Sequence, residues 1–431
     1  MSELMARPSL VSRRTVLAGA LGAAGVLLAG CGAGGTRSGS AGTISWASWG
    51  NPGEVERLEQ FNEHYSDETG VQLDYQLVTG DYVQKVRTQL VGGQAPDAFW
   101  ADDSIMGQAI QSELTVNLSE LAGDSGVAFA FDDYYPALAS FCQAPDGSFY
   151  GVPIDANPMA FWFNKDLLAE AGITTDPAQL QEAGSWDRAA LTTMLGQLKD
   201  AGITGLIYEA TWWSIFSWIS TFGGATFDDT GRAVFHEDPT ALDALEWLFD
   251  QTKEGTAVFA GSLPEGQGVD ALFYSGQLAT IQYGRWILPN LEQLSFGYDI
   301  APLPSVTGAD VSSVAVLVGA MCVNTDAGDV DAAARFVAAF TDQDGARFRL
   351  SDGGNAVPAL SGISEVVTEG GLPEHGSWFN DIAANAFHPT FLRDYPDRNV
   401  GLPQTMDALL RDGVDAKTFA EQTAAMVNGE Q

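Results

Sequence analysis

Residues 43–100 read TISWASWGNPGEVERLEQFNEHYSDETGVQLDYQLVTGDYVQKVRTQLVGGQAPDAFW, and their apolar period switches four times. Residues 43–47 are a strand-like run, after which Val55, Leu58, Phe61 and Tyr65 recur at helical spacing over 54–65. Val71, Leu73, Tyr75 and Leu77 then alternate with Gln72, Asp74 and Gln76, the period of two expected of a second strand. Val83, Val86 and Leu90 return to helical spacing, the Gly- and Pro-containing run 92–97 breaks it, and Ala98, Phe99 and Trp100 form a third strand. The order β-α-β-α-β predicts a parallel sheet with right-handed crossovers, whose ligands bind beyond the carboxyl ends of the strands. Those ends are Ser48-Trp49-Gly50-Asn51, Thr79-Gly80-Asp81 and Ala101-Asp102-Asp103.

Further along, 149–153 reads as another strand, and 155–158 as a crossing between lobes stiffened by Pro153 and Pro158. Helices are predicted over 165–171, stopped by Gly172, and over 187–201, capped by Ser185 and stopped by Gly202. Helical patterns at 242–253 and 269–275 precede a strand at 278–282, and the strand 315–323 returns the chain to the first lobe. At 431 residues with 45% hydrophobic side chains, the chain exceeds a single core, which stops growing near roughly 250 to 300 residues. The 56 Asp and Glu outnumber the 20 Lys and Arg, giving a formal net charge of -36. That balance opposes nucleic acid and anionic membrane surfaces, which need clustered cations, and the apolar content excludes a disordered acidic chain.

Residues 1–30 differ from everything after them. Arg7, Arg13 and Arg14 precede an apolar run too short for a membrane span, and the run ends at Leu28-Ala29-Gly30-Cys31. Ser12-Arg13-Arg14-Thr15-Val16-Leu17 resembles a twin-arginine export signal, and Leu-Ala-Gly-Cys resembles a lipobox, which implies a lipid-modified Cys31 at the outer face of the cell membrane. Residues 31–42 read as a flexible Gly- and Ser-rich tether. Cys142 and Cys322 then remain, equally compatible with one disulfide or two buried thiols.

Several stretches, read in order, carry a family resemblance. They are Gly93-Gln94-Ala95-Pro96-Asp97-Ala98-Phe99-Trp100, Tyr150-Gly151-Val152-Pro153 leading into Phe163-Asn164-Lys165-Asp166-Leu167-Leu168, Phe273 to Trp286 written F-Y-S-G-Q-L-A-T-I-Q-Y-G-R-W, and Arg335-Phe336-Val337 with Gly353-Gly354-Asn355-Ala356-Val357-Pro358. Together they resemble the family 1 extracellular solute-binding proteins, the carbohydrate-binding components of ABC importers related to maltose-binding protein. The resemblance implies an α/β, two-lobed periplasmic-binding-protein-like fold of type II, each lobe a sheet flanked by helices. It divides the chain into a first lobe at 43–155 plus 322–365 and a second at 156–321 plus 366–431. It further implies a neutral sugar or oligosaccharide held between the lobes and delivered by a monomer to permease subunits with a separate ATPase. Where members often carry Gly-Gly, this chain has Val316-Leu317-Val318-Gly319, so substrate identity does not carry over.

A sugar offers C–H faces to aromatic rings and an edge of hydroxyls to planar polar groups. Of eleven Trp, Trp162, Trp186 and Trp247 read as core, while Trp49, Trp286 and Trp378 lie in loops that suit a cleft. Trp212 and Trp213 are further candidates from an aromatic helix in which Trp218 reads as core. Asp102 and Asp103 are candidate hydroxyl acceptors, Asn51 a neutral partner, and Tyr283 and Arg285 share the turn of Trp286, with Arg285 expected to pair with an acid. No cofactor, metal or catalytic group is expected: the four His are isolated, and no phosphate-binding loop occurs. The alternatives are a glycerophosphodiester or polyol-phosphate carrier, which needs a basic group in the cleft with Arg285 as the one candidate, and a secreted carbohydrate-active enzyme with two carboxylates.

Overall fold

The computed structural model describes residues 42–430 apart from Gly126, Glu292 and Thr390. The twin-arginine segment, Cys31 and most of the proposed tether lie outside the described residues. Among the described residues, no helix is long and apolar enough to cross a membrane.

The opening five elements follow the sequence pattern: β1 (Thr43–Ser48), α1 (Pro52–Thr69), β2 (Gln72–Leu77), α2 (Tyr82–Val91) and β3 (Ala98–Ala101), then α3 (Asp103–Ser112). Each helix starts on a side-chain cap, the Asn51, Asp81 and Asp102 oxygens accepting from Glu54 N, Gln84 N and Ile105 N. Such caps each stabilise by about 1 kcal/mol and set where the strand ends and the helix begins. β4 (Val152–Pro158) passes into β5 (Ala160–Asn164), followed by β6 (Thr204–Tyr208), β7 (Ala257–Phe259), β8 (Leu278–Tyr283), β9 (Tyr298–Ala301), β10 (Val316–Val323) and β11 (Val357–Pro358).

Two sheets result, ordered β11-β4-β10-β3-β1-β2 and β7-β6-β8-β5-β9. In the first, β1 is parallel to β2 and β3, while β10 runs antiparallel to β3 and β4. The chain therefore changes sheet between Pro158 and Ala160 and again between Ala301 and Val316. The two passages are joined where Met159 N donates to the Ala315 carbonyl at 3.1 Å, and Phe387 adds a third by bridging Ala315. Residues 156–158 and 316–321 accordingly belong to the first sheet, and Val323 pairs with Ala98 inside it, away from the crossing. The C-terminal segment is shared: the helix Pro396–Asp412 packs on α3, and the helix Ala416–Asn428 on the second-lobe helix Pro239–Glu254.

Each sheet buries its own core. Trp46 stacks on Tyr75 and meets Phe336 and Phe340 in the first lobe. Trp162, Trp186 and Trp218 are fully buried in the second. Trp162 Nε1 donates to the Tyr283 carbonyl and Trp186 Nε1 to that of Pro302, so burying those two rings leaves neither N–H unpaired. Cys142 and Cys322 are buried free thiols. The helix Arg188–Asp200 is capped by Asp187, accepting from Ala190 N, and not by Ser185.

Candidate ligand-binding site

A cavity of about 1180 Å³ opens between the lobes where the strand ends converge. Trp49 follows β1 and packs edge-on against Tyr82 at 4.8 Å and Trp100 at 5.2 Å between centroids. The Tyr82 hydroxyl lies 2.8 Å from the Trp100 carbonyl and 3.1 Å from that of Ala47, so the first-lobe indole wall is fixed before any ligand enters. Opposite it, Trp213 and Trp286 meet edge-on at 6.1 Å, both resting on Tyr283, whose hydroxyl bonds the Glu209 carboxylate. Thr211 caps the helix Trp212–Thr221, and Ser214 Oγ donates to Gln282 Oε1 at 3.2 Å, which ties the helix carrying Trp212 and Trp213 to β8. Leu317, Val318 and Gly319 form part of the floor, where β10 bulges between Gly319 and Ala320.

The polar lining is acidic: Glu54, Asp81, Asp102, Asp103, Asp155 and Asp270 against a single basic side chain, Arg87. Burial pushes Glu54 up to about 7, opposed by hydrogen bonds from Asn355 Nδ2 and Asn51 N and assisted by the Asp155 charge. Burial also pushes Asp102 up to about 7, with the Asp103 charge adding to it. Asp155 is raised to about 6 by burial, held down partly by Arg349 at 3.8 Å. Asp103 Oδ1 lies 2.6 Å from His388 Nε2, while His388 Nδ1 lies 3.1 Å from the Val316 carbonyl. A carbonyl only accepts, so Nδ1 carries a proton. Burial lowers the imidazole pKa, and the Asp103 charge and hydrogen bond more than reverse that, favouring the imidazolium. The imidazolium thereby pairs with Asp103 at the cavity edge.

Of the residues singled out in the sequence, Trp49, Asn51, Asp102, Asp103, Trp212, Trp213 and Trp286 line this one cavity. Asn51 does so with both ends of its amide engaged, Oδ1 capping α1 and Nδ2 donating to the Trp286 carbonyl at 2.8 Å. It fastens the first-lobe helix to the second-lobe turn. Three residues are placed elsewhere. Tyr283 stands behind Trp213 and Trp286, its ring hidden by theirs. Arg285 is fully buried, and its guanidinium donates to the Leu350, Ala356 and Val367 carbonyls, main-chain oxygens of the segment 350–367. Trp378 opens the helix Trp378–Asn385 and stacks on His375 at 4.6 Å, away from the cavity. The sequence reading missed Trp100, Glu54, Asp155 and Asn355. The Asn-x-x-Glu box at Asn51 carried a signal for Glu54. Asn355 reaches Glu54 only across 301 residues of chain, which no local pattern reports.

Residues 51–347 match the model of the bacterial extracellular solute-binding protein family, well over half of the chain. The chain belongs to this family. Such solute-binding proteins capture small molecules for ABC importer permeases, in keeping with a cavity placed between two lobes. Among solved members, this solute-binding protein is similar to an ABC substrate-binding protein of Listeria monocytogenes in complex with cycloalternan, with TM-score 0.79 and 19% identity over 90% of this chain and 98% of that one. It is also similar to the GacH receptor of Streptomyces glaucescens, described in complex with acarbose, with TM-score 0.75 and 18% identity over 89% and 96% of the two chains. UgpB of Mycobacterium tuberculosis, in complex with glycerophosphocholine, gives TM-score 0.72 at 18% identity, covering 90% and 98%. At such identities these likenesses establish the type II fold. A sn-glycerol-3-phosphate-binding periplasmic protein of Brucella abortus is 22% identical over 269 residues, covering 58% of this chain and 59% of its own length. The chain thus spans about 59% of that curated relative.

Proposed function

We propose that this solute-binding protein captures a sugar or oligosaccharide without an anionic group, holds it between its two indole walls, and delivers it unchanged to an ABC importer. The observation that carries this reading is the convergence of Trp49 and Trp100 from one lobe with Trp212, Trp213 and Trp286 from the other on a single cavity. Indole faces cover the C–H faces of a pyranose, and the carboxylates and amides between them suit its hydroxyl edge. Export by a twin-arginine signal and anchoring through lipid on Cys31 complete the proposal; a tether there keeps the carrier beside its permease.

The Brucella relative and the Mycobacterium neighbour favour a second reading, a glycerophosphodiester or glycerol phosphate. A phosphate needs cations, and the lining offers Arg87 alone, already bonded to Gln108 at 2.6 Å and Asp397 at 3.2 Å. The acidic wall therefore favours carbohydrate. Thermal-shift screening against mono-, di- and trisaccharides and glycerol phosphodiesters tests the choice: stabilisation by a sugar supports it, and stabilisation by the phosphodiesters alone overturns it. Incubation with end-labelled oligosaccharides checks that bound sugar is recovered intact; a cleaved product contradicts the carrier role.

A further inference from the structure

The cavity wall holds six carboxyl groups against one arginine. Arg349 is the cation facing Asp155, and it also donates to the Phe340 and Ile154 carbonyls and lies over the Phe340 ring. Arg87, which acts on Asp102 from α2, is drawn toward Gln108 and Asp397, and His388 is spent on Asp103. Both Glu54 oxygens accept from neutral amides. Of the lining carboxyls whose pKa burial raises, Glu54 and Asp102 have no cation in salt-bridge contact among the described residues, while Asp155 has Arg349 at 3.8 Å. A ligand cation entering the cavity would supply the countercharge that burial otherwise replaces with a proton.

A single metal ion does not fit the arrangement. Among the described residues, the one group of three or more His, Cys, Asp or Glu ligand atoms within 4.8 Å of one another is Asp299, Glu374 and His375, outside the cavity. There Lys165 Nζ already lies 2.9 Å from Asp299 and 3.0 Å from Glu374. The cavity carboxylates are dispersed among aromatic faces. An independent feature marks the wall beside Asp102: Trp100, 4% exposed, lines it, and its indole N–H has no acceptor among the described residues. That wall thus pairs a carboxylate with an unspent donor and two indoles.

We propose that the cavity selects a carbohydrate bearing an ammonium group, an amino sugar or aminocyclitol, with Asp102 as the carboxylate that meets the charge and the Trp49 and Trp100 indoles beside it. The proposal rests on the carbohydrate reading above and narrows it. Asp102 is the choice because Asp155 has Arg349 and the Glu54 oxygens are tied to Asn51 and to Asn355 of a distant segment, whereas Asp102 accepts from the backbone amides of Ser104 and Ile105 at the start of its own helix and lines the cavity. An ammonium–carboxylate bond is roughly twice as strong as a neutral one, and nearby indole faces favour a cation further.

The test uses matched probes on the intact protein: glucosamine with glucose and N-acetylglucosamine, galactosamine with galactose, and the β-1,4 glucosamine dimer and trimer with their acetylated and cellulose-derived counterparts. Calorimetry is expected to show the amine members binding at least about tenfold tighter than their neutral partners at pH 7.5, with the preference shrinking toward pH 5 as Asp102 takes up a proton. Asp102→Asn, which retains a capping side chain, is expected to collapse that ratio. Equal or tighter binding of the neutral partners overturns the amine proposal and leaves carbohydrate capture standing. Binding by no member of the panel overturns both. The wild-type comparison needs no variant, so it decides between these outcomes even where Asp102→Asn folds poorly.

Discussion

Trp286 illustrates how a single side chain serves two roles at the site. Its ring faces the cavity while its carbonyl accepts from Asn51 Nδ2, so the indole is held by the opposite lobe. Trp286→Ala is expected to weaken carbohydrate binding by about 1 to 3 kcal/mol in calorimetry, with the far-ultraviolet circular dichroism unchanged. Asp102 gives a stability prediction. Its carboxyl is raised to about 7 in the fold from an unfolded value near 3.8, so the folded state holds the proton more tightly. Its contribution is fully present below the unfolded value and is lost as pH rises through about 7. Asp102→Asn is therefore expected to raise ligand-free stability at pH 8 by about 1 to 3 kcal/mol and to flatten the fall in melting temperature between pH 5 and 8. A variant less stable than wild type at pH 8 contradicts the assigned burial. At this scale the sequence was informative where position alone mattered: Trp49, Asp102 and Trp286 sit at strand ends and reach the cavity. It was not informative for Arg285, whose carbonyl partners lie 65 to 82 residues away in a segment with no periodic pattern to anticipate them.

Elements explain why those side chains converge. The β-α-β-α-β run was readable because each strand and helix has its own apolar period and each helix begins on a side-chain cap. The crossing was readable only in part. Pro153 and Pro158 pointed to the first passage, but both fall inside β4, and the second passage lies in the turn-rich stretch between β9 and β10, ahead of the lobe boundary expected at residue 322. Long-range pairing to β3 and β4 sets that boundary, and local composition does not. The junction of α1 with the Trp286 turn is tight. A Cβ on Gly53 would stand 2.6 Å from Pro289 Cβ, so Gly53→Ala meets a clash that outweighs the gain of up to about 1 kcal/mol from helix propensity. Gly53→Ala is expected to cost about 1 to 3 kcal/mol of stability and to weaken ligand affinity as the Trp286 turn is displaced. A stabilised variant with full affinity would show that this junction yields freely.

For the whole molecule, the proposed capture between two lobes joined by crossing strands implies a hinge equilibrium that ligand shifts toward a closed arrangement. A ligand that bridges both walls stabilises the folded protein by mass action, about 2.7 kcal/mol at a hundredfold excess over Kd, and the melting temperature is expected to rise with ligand concentration accordingly. The overall charge of -36 carries no argument about the ligand, since most acids lie elsewhere; the proposed ligand is argued from the cavity's own six carboxyls against one arginine. Architecture was legible from the sequence because it follows from many weak periodic signals, whereas the charge of the site emerged only when Glu54, Asp155 and Asn355 were brought together from distant segments. The most direct measurement is a calorimetric titration of the best-stabilising carbohydrate against wild type, Trp49→Ala and Trp286→Ala. One site per chain is expected, with a loss of at least about tenfold for a change in either lobe. Undiminished affinity in both variants would contradict capture between the two indole walls.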